Sequence, residues 1–214
     1  ASRAALLTGR NHHAVGMGSI ADAAQPAPGY TTRLPKSAAT LQRVLTDSGY
    51  STFAAGKWHL TPAGERSHAG PFTQWPLGTG FERYYGFLRA DANQWIPNLV
   101  ADNHSIDPPR TPDQGYHVTE DLADQSIEMI LNQKQVAPDK PFFLYFAHTM
   151  PHTPLAASNE FKGTSARGPY GDAVAEIDWS VGEIFKTLKE QNLDDNTLVV
   201  FTSDNGPWLH RGER

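Results

Sequence analysis

The chain is 214 residues long, 19% charged and 39% hydrophobic, with a formal net charge of −5. That suffices for one α/β domain with a sizeable core, and the balance is that of a globular chain rather than a disordered one. An acidic chain without a basic run or stripe argues against a nucleic-acid or membrane-surface binder, although a locally positive pocket for an anion stays open.

Cysteine is absent, so disulfides and thiolate metal sites are excluded, and no apolar run approaches the roughly 20 residues that span a bilayer. In chain order, Ser2 precedes Ala4-Ala5-Leu6-Leu7 and Gly9 follows, which predicts a short helix with Ser2 as N-cap and a glycine stop. Residues 37–48 carry Leu41, Val44 and Leu45 at helical spacing, and Gly49 ends them. Residues 50–55 form a short strand that delivers Gly56-Lys57-Trp58-His59 into a loop. Residues 61–112, rich in Gly, Pro, Asn and aromatics, read as an irregular excursion that packs its aromatics or shapes a pocket.

Residues 119–133 are helical, with Leu122, Ile127, Ile130 and Leu131 on one face. Pro141-Phe142-Phe143-Leu144-Tyr145-Phe146-Ala147 is the continuous apolar run of a buried strand. Residues 171–191 form the clearest helix: Val174, Ile177, Val181, Ile184 and Leu188 recur at three- and four-residue steps, and Asp172 sits in its first turn. Its acidic positions read as a solvated face. Thr197-Leu198-Val199-Val200-Phe201-Thr202 reads as another buried strand. Helices alternating with apolar strands predict an α/β fold, a mostly parallel sheet flanked by helices on both faces. Neither end carries a closing element, so the chain reads as a piece truncated at both ends.

Ligands bind such sheets beyond the carboxyl ends of the strands. His148 and Pro151-His152-Thr153-Pro154 follow one predicted strand, Ser203-Asp204-Asn205-Gly206 another, and Lys57 and His59 a third. Asp204 and Asn205 offer hard oxygen donors suited to Ca²⁺ or Mg²⁺, or else form an ordinary Asx turn. Lys57 and His59 put a cation and a base two residues apart, hence on one side of an extended segment, or else flank an inward-packed Trp58. His152, between two prolines, is a stiffly held candidate for acid–base work or a capped loop histidine. The helix N-terminus near Ser2 is a ready anion site. Adjacent His12 and His13 have no spaced partners and are discounted as zinc ligands. Trp75, Trp95, Tyr84 and Tyr85 read as packing.

Together these segments resemble the sulfatase family of the alkaline-phosphatase-like superfamily. Ala1-Ser2-Arg3-Ala4-Ala5-Leu6-Leu7-Thr8-Gly9-Arg10 is similar to the family's first signature from its third position onward, with Ala1 where many members have Pro. Gly49-Tyr50-Ser51-Thr52-Phe53-Ala54-Ala55-Gly56-Lys57-Trp58-His59-Leu60 resembles the whole of the second. Pro151-His152-Thr153-Pro154-Leu155 and Ser203-Asp204-Asn205-Gly206 resemble two further active-site segments, in the right order.

The resemblance implies hydrolysis of sulfate esters, arylsulfatase-like, by a formylglycine made from a Cys or Ser two places before Ala1. The hydrated aldehyde would attack sulfur, steadied by Arg3. Lys57 would bridge the nucleophile and a sulfate oxygen. His152 would hold the sulfate and protonate the leaving oxygen, and His59 would be the base that ejects sulfate. Asp204 and Asn205 would complete a calcium site (Ca²⁺ ahead of Mg²⁺) with an acidic pair from upstream.

Residues 1–214 would then be part of a single catalytic domain, inactive alone because the nucleophile lies outside it. The implied partners are a small aryl or carbohydrate sulfate and a formylglycine-generating maturation enzyme. The parent would be exported, to periplasm or medium, or lysosomal. A phosphatase or phosphodiesterase of the same superfamily and a non-catalytic sulfate-binding domain are the competing functions. The residue two places before Ala1 discriminates among them.

Overall fold

The computed structural model of the chain describes residues 1–206. In order, the elements are α1 (Ser2–Thr8), α2 (Leu41–Asp47), β1 (Ser51–Lys57), β2 (Arg83–Phe87), β3 (Leu99–Ala101), β4 (His104–Ile106), α3 (Val118–Val136), β5 (Phe142–Ala147) and α4 (Gly168–Glu190), with short 3₁₀ turns between them. Among the described residues the strands form one sheet in the order β4-β3-β2-β1-β5. β1 runs parallel to both β2 and β5, while β3 and β4 are antiparallel additions. The sheet is therefore mixed, not mostly parallel. The expectation fails because β2, β3 and β4 lie inside the supposedly irregular 61–112 stretch, where tight turns at Asp102 and Asn103 permit a meander.

The pleat sorts the core onto two faces, since neighbouring strand residues point oppositely. Ala54, Tyr84, Val100, Phe143 and Tyr145 face α1, Trp58, Trp75 and Phe81. Tyr85, Leu99 and Phe146 face Tyr116 and, from α3, Val118 and Leu122. Helices thus cover both faces, as expected. β1, central and buried along its whole length, is the rigid strip on which the Lys57 segment is mounted. Gly56, at φ 95°, permits the closest approach in the sheet: a Cβ there would lie 2.0 Å from the Ala147 carbonyl oxygen.

Several helix expectations shift in detail. Ala1, not Ser2, occupies the N-cap of α1, and Ser2 makes no cap hydrogen bond; Gly9 does close the helix in the left-handed conformation. α2 begins at Leu41 because Thr40 caps it, its hydroxyl accepting from the Arg43 N–H. The buried face of α2 carries Gln42, whose amide donates to Thr79, while Leu41 and Val44 are exposed. Leu131 of α3 is exposed as well.

α4 starts at Gly168, before the expected position, so Asp172 is not in its first turn. Asp172 instead accepts from the Gly163 and Ser165 N–H groups, clipping the preceding loop to the helix, and these bonds hold its carboxyl below the usual range. Asp172 and Glu176 are buried, so the acidic positions of α4 are not uniformly solvated. Residues 197–202 form no strand among the described residues: they pair with none of the five strands, and Leu198, Val200 and Phe201 stand mostly exposed. β5, with β1 on one side and no described strand on the other, is only half-buried rather than fully buried. Among the described residues no helix is long and apolar enough to cross a membrane.

Candidate active site

Parallel pairing aligns the carboxyl ends of β1 and β5, Gly56 opposite Ala147, so Lys57 and His148 leave the sheet at the same edge. Lys57 is the last residue of β1 and is 7% exposed. Burial pushes its ammonium down to about 8, the nearby Arg3 cation adds to that, and Asp204 and Asp91 oppose it. Trp58 turns inward, its indole N–H donating to the Gln74 carbonyl at 3.0 Å. His59 then takes φ 52°, so the chain turns at that residue and the expected extended arrangement of Lys57 and His59 does not hold there.

Arg3 reaches this edge from α1 and binds three elements. One guanidinium nitrogen donates to the Tyr145 hydroxyl of β5 at 3.0 Å and to the Lys57 carbonyl at 3.5 Å. The other donates to the Asp204 carboxylate at 3.1 Å. The Asn205 amide donates to the second Asp204 oxygen at 3.2 Å. Two cations, Arg3 and Lys57, therefore converge at this edge, with Asp204 bonded to Arg3 and the Asp91 charge also felt by Lys57.

His59 is paired too: its Nε2 lies 3.2 Å from the Asp22 carboxylate, whose other oxygen accepts from Arg66 at 2.6 Å. Burial drives the His59 pKa down to about 4, with Lys57 and Arg3 pushing the same way and Asp22 resisting. His148 is likewise lowered to about 4 by burial, its ring tilted against Phe146 at 4.2 Å. His152 stays exposed, with Nδ1 close to the Thr153 carbonyl.

Arg3, Lys57 and Asp204 are thus brought together. His59 feels the Lys57 and Arg3 charges, whereas His152, exposed in the loop after β5, makes no described contact with Arg3, Lys57 or Asp204, and Asn205 is exposed beside Asp204. Sequence reasoning missed Tyr145, hidden in an apolar run where only its alternation with Phe143 hinted at an inward-facing hydroxyl. It also missed Asp22 and Arg66, which belong to no motif.

Asp204 and Asn205 supply adjacent oxygen donors, the type that Ca²⁺ prefers, but an ion of that kind takes 6–8. Among the described residues no group of three or more His, Asp or Glu could hold a metal, so these two cover part of a shell.

The family model described as Sulfatase matches residues 1–213. The chain belongs to the sulfatase family. Within it, the chain is 35% identical to N-acetylgalactosamine-6-sulfatase of Canis lupus familiaris, over 97% of this chain and 41% of that protein. It is equally 35% identical to arylsulfatase A of Homo sapiens, over 100% of this chain and 43% of the relative. Among solved sulfatase-like structures, that of Ps i-CgsB superposes with a TM-score of 0.78 at 29% identity, covering 95% of this chain and 47% of the other. The chain therefore spans less than half the length of these relatives, and the same fold carries through the region they share.

Proposed function

We propose that this chain is the sulfate-holding and proton-managing portion of a sulfuric ester hydrolase, residues 1–214 forming part of one catalytic domain. The observation that carries this is the convergence of Arg3 and Lys57 at the carboxyl edge of β1 and β5, in a partly desolvated place where fixed cations stabilise an anion strongly. Arg3, held by Tyr145, the Lys57 carbonyl and Asp204, keeps a fixed cation beside the oxygens of the reacting centre. Lys57, its pKa lowered but still cationic at neutral pH, contacts a sulfate oxygen.

His152, exposed in the loop after β5, is the group that hydrogen-bonds the sulfate and gives a proton to the leaving oxygen in this scheme. His59, neutral above about pH 4, is the base that takes a proton as sulfate departs. Asp204 and Asn205 would hold part of a calcium site, where the ion would offset the charge of the sulfate group. The nucleophile in this scheme is a formylglycine two places before Ala1, made by a maturation enzyme acting on the parent protein.

The substrate class is a small aryl or carbohydrate sulfate. Two similar proteins support the carbohydrate side: one relative is an N-acetylgalactosamine-6-sulfatase, and Ps i-CgsB has been solved with k-i-k-neocarrahexaose. The parent protein, coexpressed with a maturation enzyme, is expected to release sulfate from an aryl sulfate far faster than phosphate from the matching aryl phosphate. Mass spectrometry of the peptide containing Arg3 is expected to show the aldehyde. Preference for the phosphate ester, or an inert residue at the nucleophile position, sinks the proposal.

A further inference from the structure

Asp22 and Arg66, the two groups that flank His59, lie outside every motif, and their arrangement is built rather than incidental. Asp22 belongs to a loop whose neck is closed by backbone bonds from Gly18 to Gly29 and from Thr32 to Gly16. Met17 and Ala21 of that loop are buried, 1% and 2% exposed, so the position of Asp22 is anchored from beneath. Arg66 is fixed in turn: its Nε donates to the Thr61 carbonyl at 3.1 Å and its Nη1 to Asp22 at 2.6 Å. His59 meets this carboxylate at 3.2 Å with its backbone in the left-handed region at φ 52°, which non-glycine residues rarely adopt. Such strain persists where the surroundings over-determine it, and it clusters at functional sites.

We infer that Asp22 is a positioning residue for His59, holding the ring by Nε2–H and so leaving Nδ1 as the free basic nitrogen. The chemistry follows from the acceptor-only nature of an ionised carboxylate: the nitrogen facing it must carry the proton, and in a neutral ring the other then cannot. Asp22 stays ionised because the Arg66 hydrogen bond lowers its pKa, with burial opposing and His59 assisting. Arg66 therefore keeps Asp22 as an acceptor, and Asp22 keeps His59 in one tautomer. The inference rests on the proposed role of His59 as base, and it adds a residue to that role.

The charged groups that face His59 are Lys57 on β1 and Arg3 on α1, both of which lower its pKa, and Asp22, which raises it. Removing the Asp22 charge therefore lowers the His59 pKa further, and the acid limb of activity should move to lower pH.

The test uses the full-length parent protein and the near-isosteric Asp22→Asn. An amide can donate as well as accept, so the tautomer is no longer fixed. The expected result is a kcat at least about tenfold lower with KM within about twofold. The acid limb should shift downward, and Asp22→Glu should recover part of the rate. Independently of turnover, ¹⁵N-histidine NMR, assigned with His59→Gln, should show unprotonated Nδ1 in the wild type and a mixture in Asp22→Asn.

An unchanged acid limb together with an unchanged tautomer overturns the inference. A wild-type parent with no sulfate-ester turnover overturns the proposed function instead, and the tautomer measurement still decides the pairing.

Discussion

Arg3 and Asp204 stand 201 positions apart in sequence and meet at 3.1 Å, the guanidinium of a helix at one end of the chain on the carboxylate of a loop at the other. The same guanidinium holds Tyr145 of β5 and the carbonyl of Lys57, so one side chain ties three separate segments into the site. A lysine could supply the charge but not the planar fork that reaches both sides at once. Arg3→Lys in the parent protein is expected to lower kcat about 10²-fold or more, the scale of losing one preorganised donor. Initial rates of sulfate release check this, and a rate within threefold of wild type would remove Arg3 from the reacting centre.

Lys57 makes a pH prediction on two axes. Activity that needs the ammonium should fall as pH rises through about 8. Stability runs the other way. The folded pKa of about 8 lies below the ordinary value of 10.5, so between these the unfolded chain binds more protons and folding strengthens as pH rises. Lys57→Met should therefore abolish turnover yet raise Tm near pH 7, with the difference shrinking by pH 10.5. Thermal melts at several pH values would show it.

Gly56 is expected to tolerate no side chain. A Cβ would clash with the Ala147 backbone at 2.0 Å, and φ 95° is unfavourable for any L-residue. Gly56→Ala should part β1 from β5 at the end that carries the site, a loss of about 2–4 kcal/mol or failure to fold. Urea unfolding compares it with Gly64→Ala, where nothing lies within 4 Å of the added atom.

The buried His117–Glu176 pair should matter beyond its own contact. His117 Nδ1 lies 2.7 Å from one Glu176 oxygen, and the other accepts from the Ser158 N–H. Glu176 so fastens to α4 the middle of the loop that bears His152. Glu176→Ala leaves the buried Ser158 N–H without its acceptor and should cost about 1–3 kcal/mol. Glu176→Gln, which keeps an acceptor for Ser158, should cost less. Equal losses in the two variants, measured by equilibrium unfolding, would count against this division.

The sequence by itself determined the local elements whose burial or capping is decided within a few residues. α1 with its glycine stop, the Lys57 strand, α3, α4 and the apolar run of β5 were all legible from periodicity and turn chemistry. The resemblance of four ordered segments to sulfatases was legible too, and the family match bears it out. Residues 197–202 show the limit, since an apolar run is a strand only where it pairs with a neighbour, and this one pairs with none of the five strands.

What only the tertiary structure decided is pairing across long separations. β2, β3 and β4 emerged from a stretch without usable periodicity. Gln42, Asp121 and Glu176 are buried polar groups whose partners Thr79, Tyr85 and Ser158 lie elsewhere in the chain. Asp22 reaches His59 from 37 residues away through a loop that no motif marks. Propensity and spacing act over one or two turns of chain, whereas a carboxylate's partner is set by where the sheet brings distant segments together. The elements could be read along the chain, but the hydrogen-bond partners that tune the site could not.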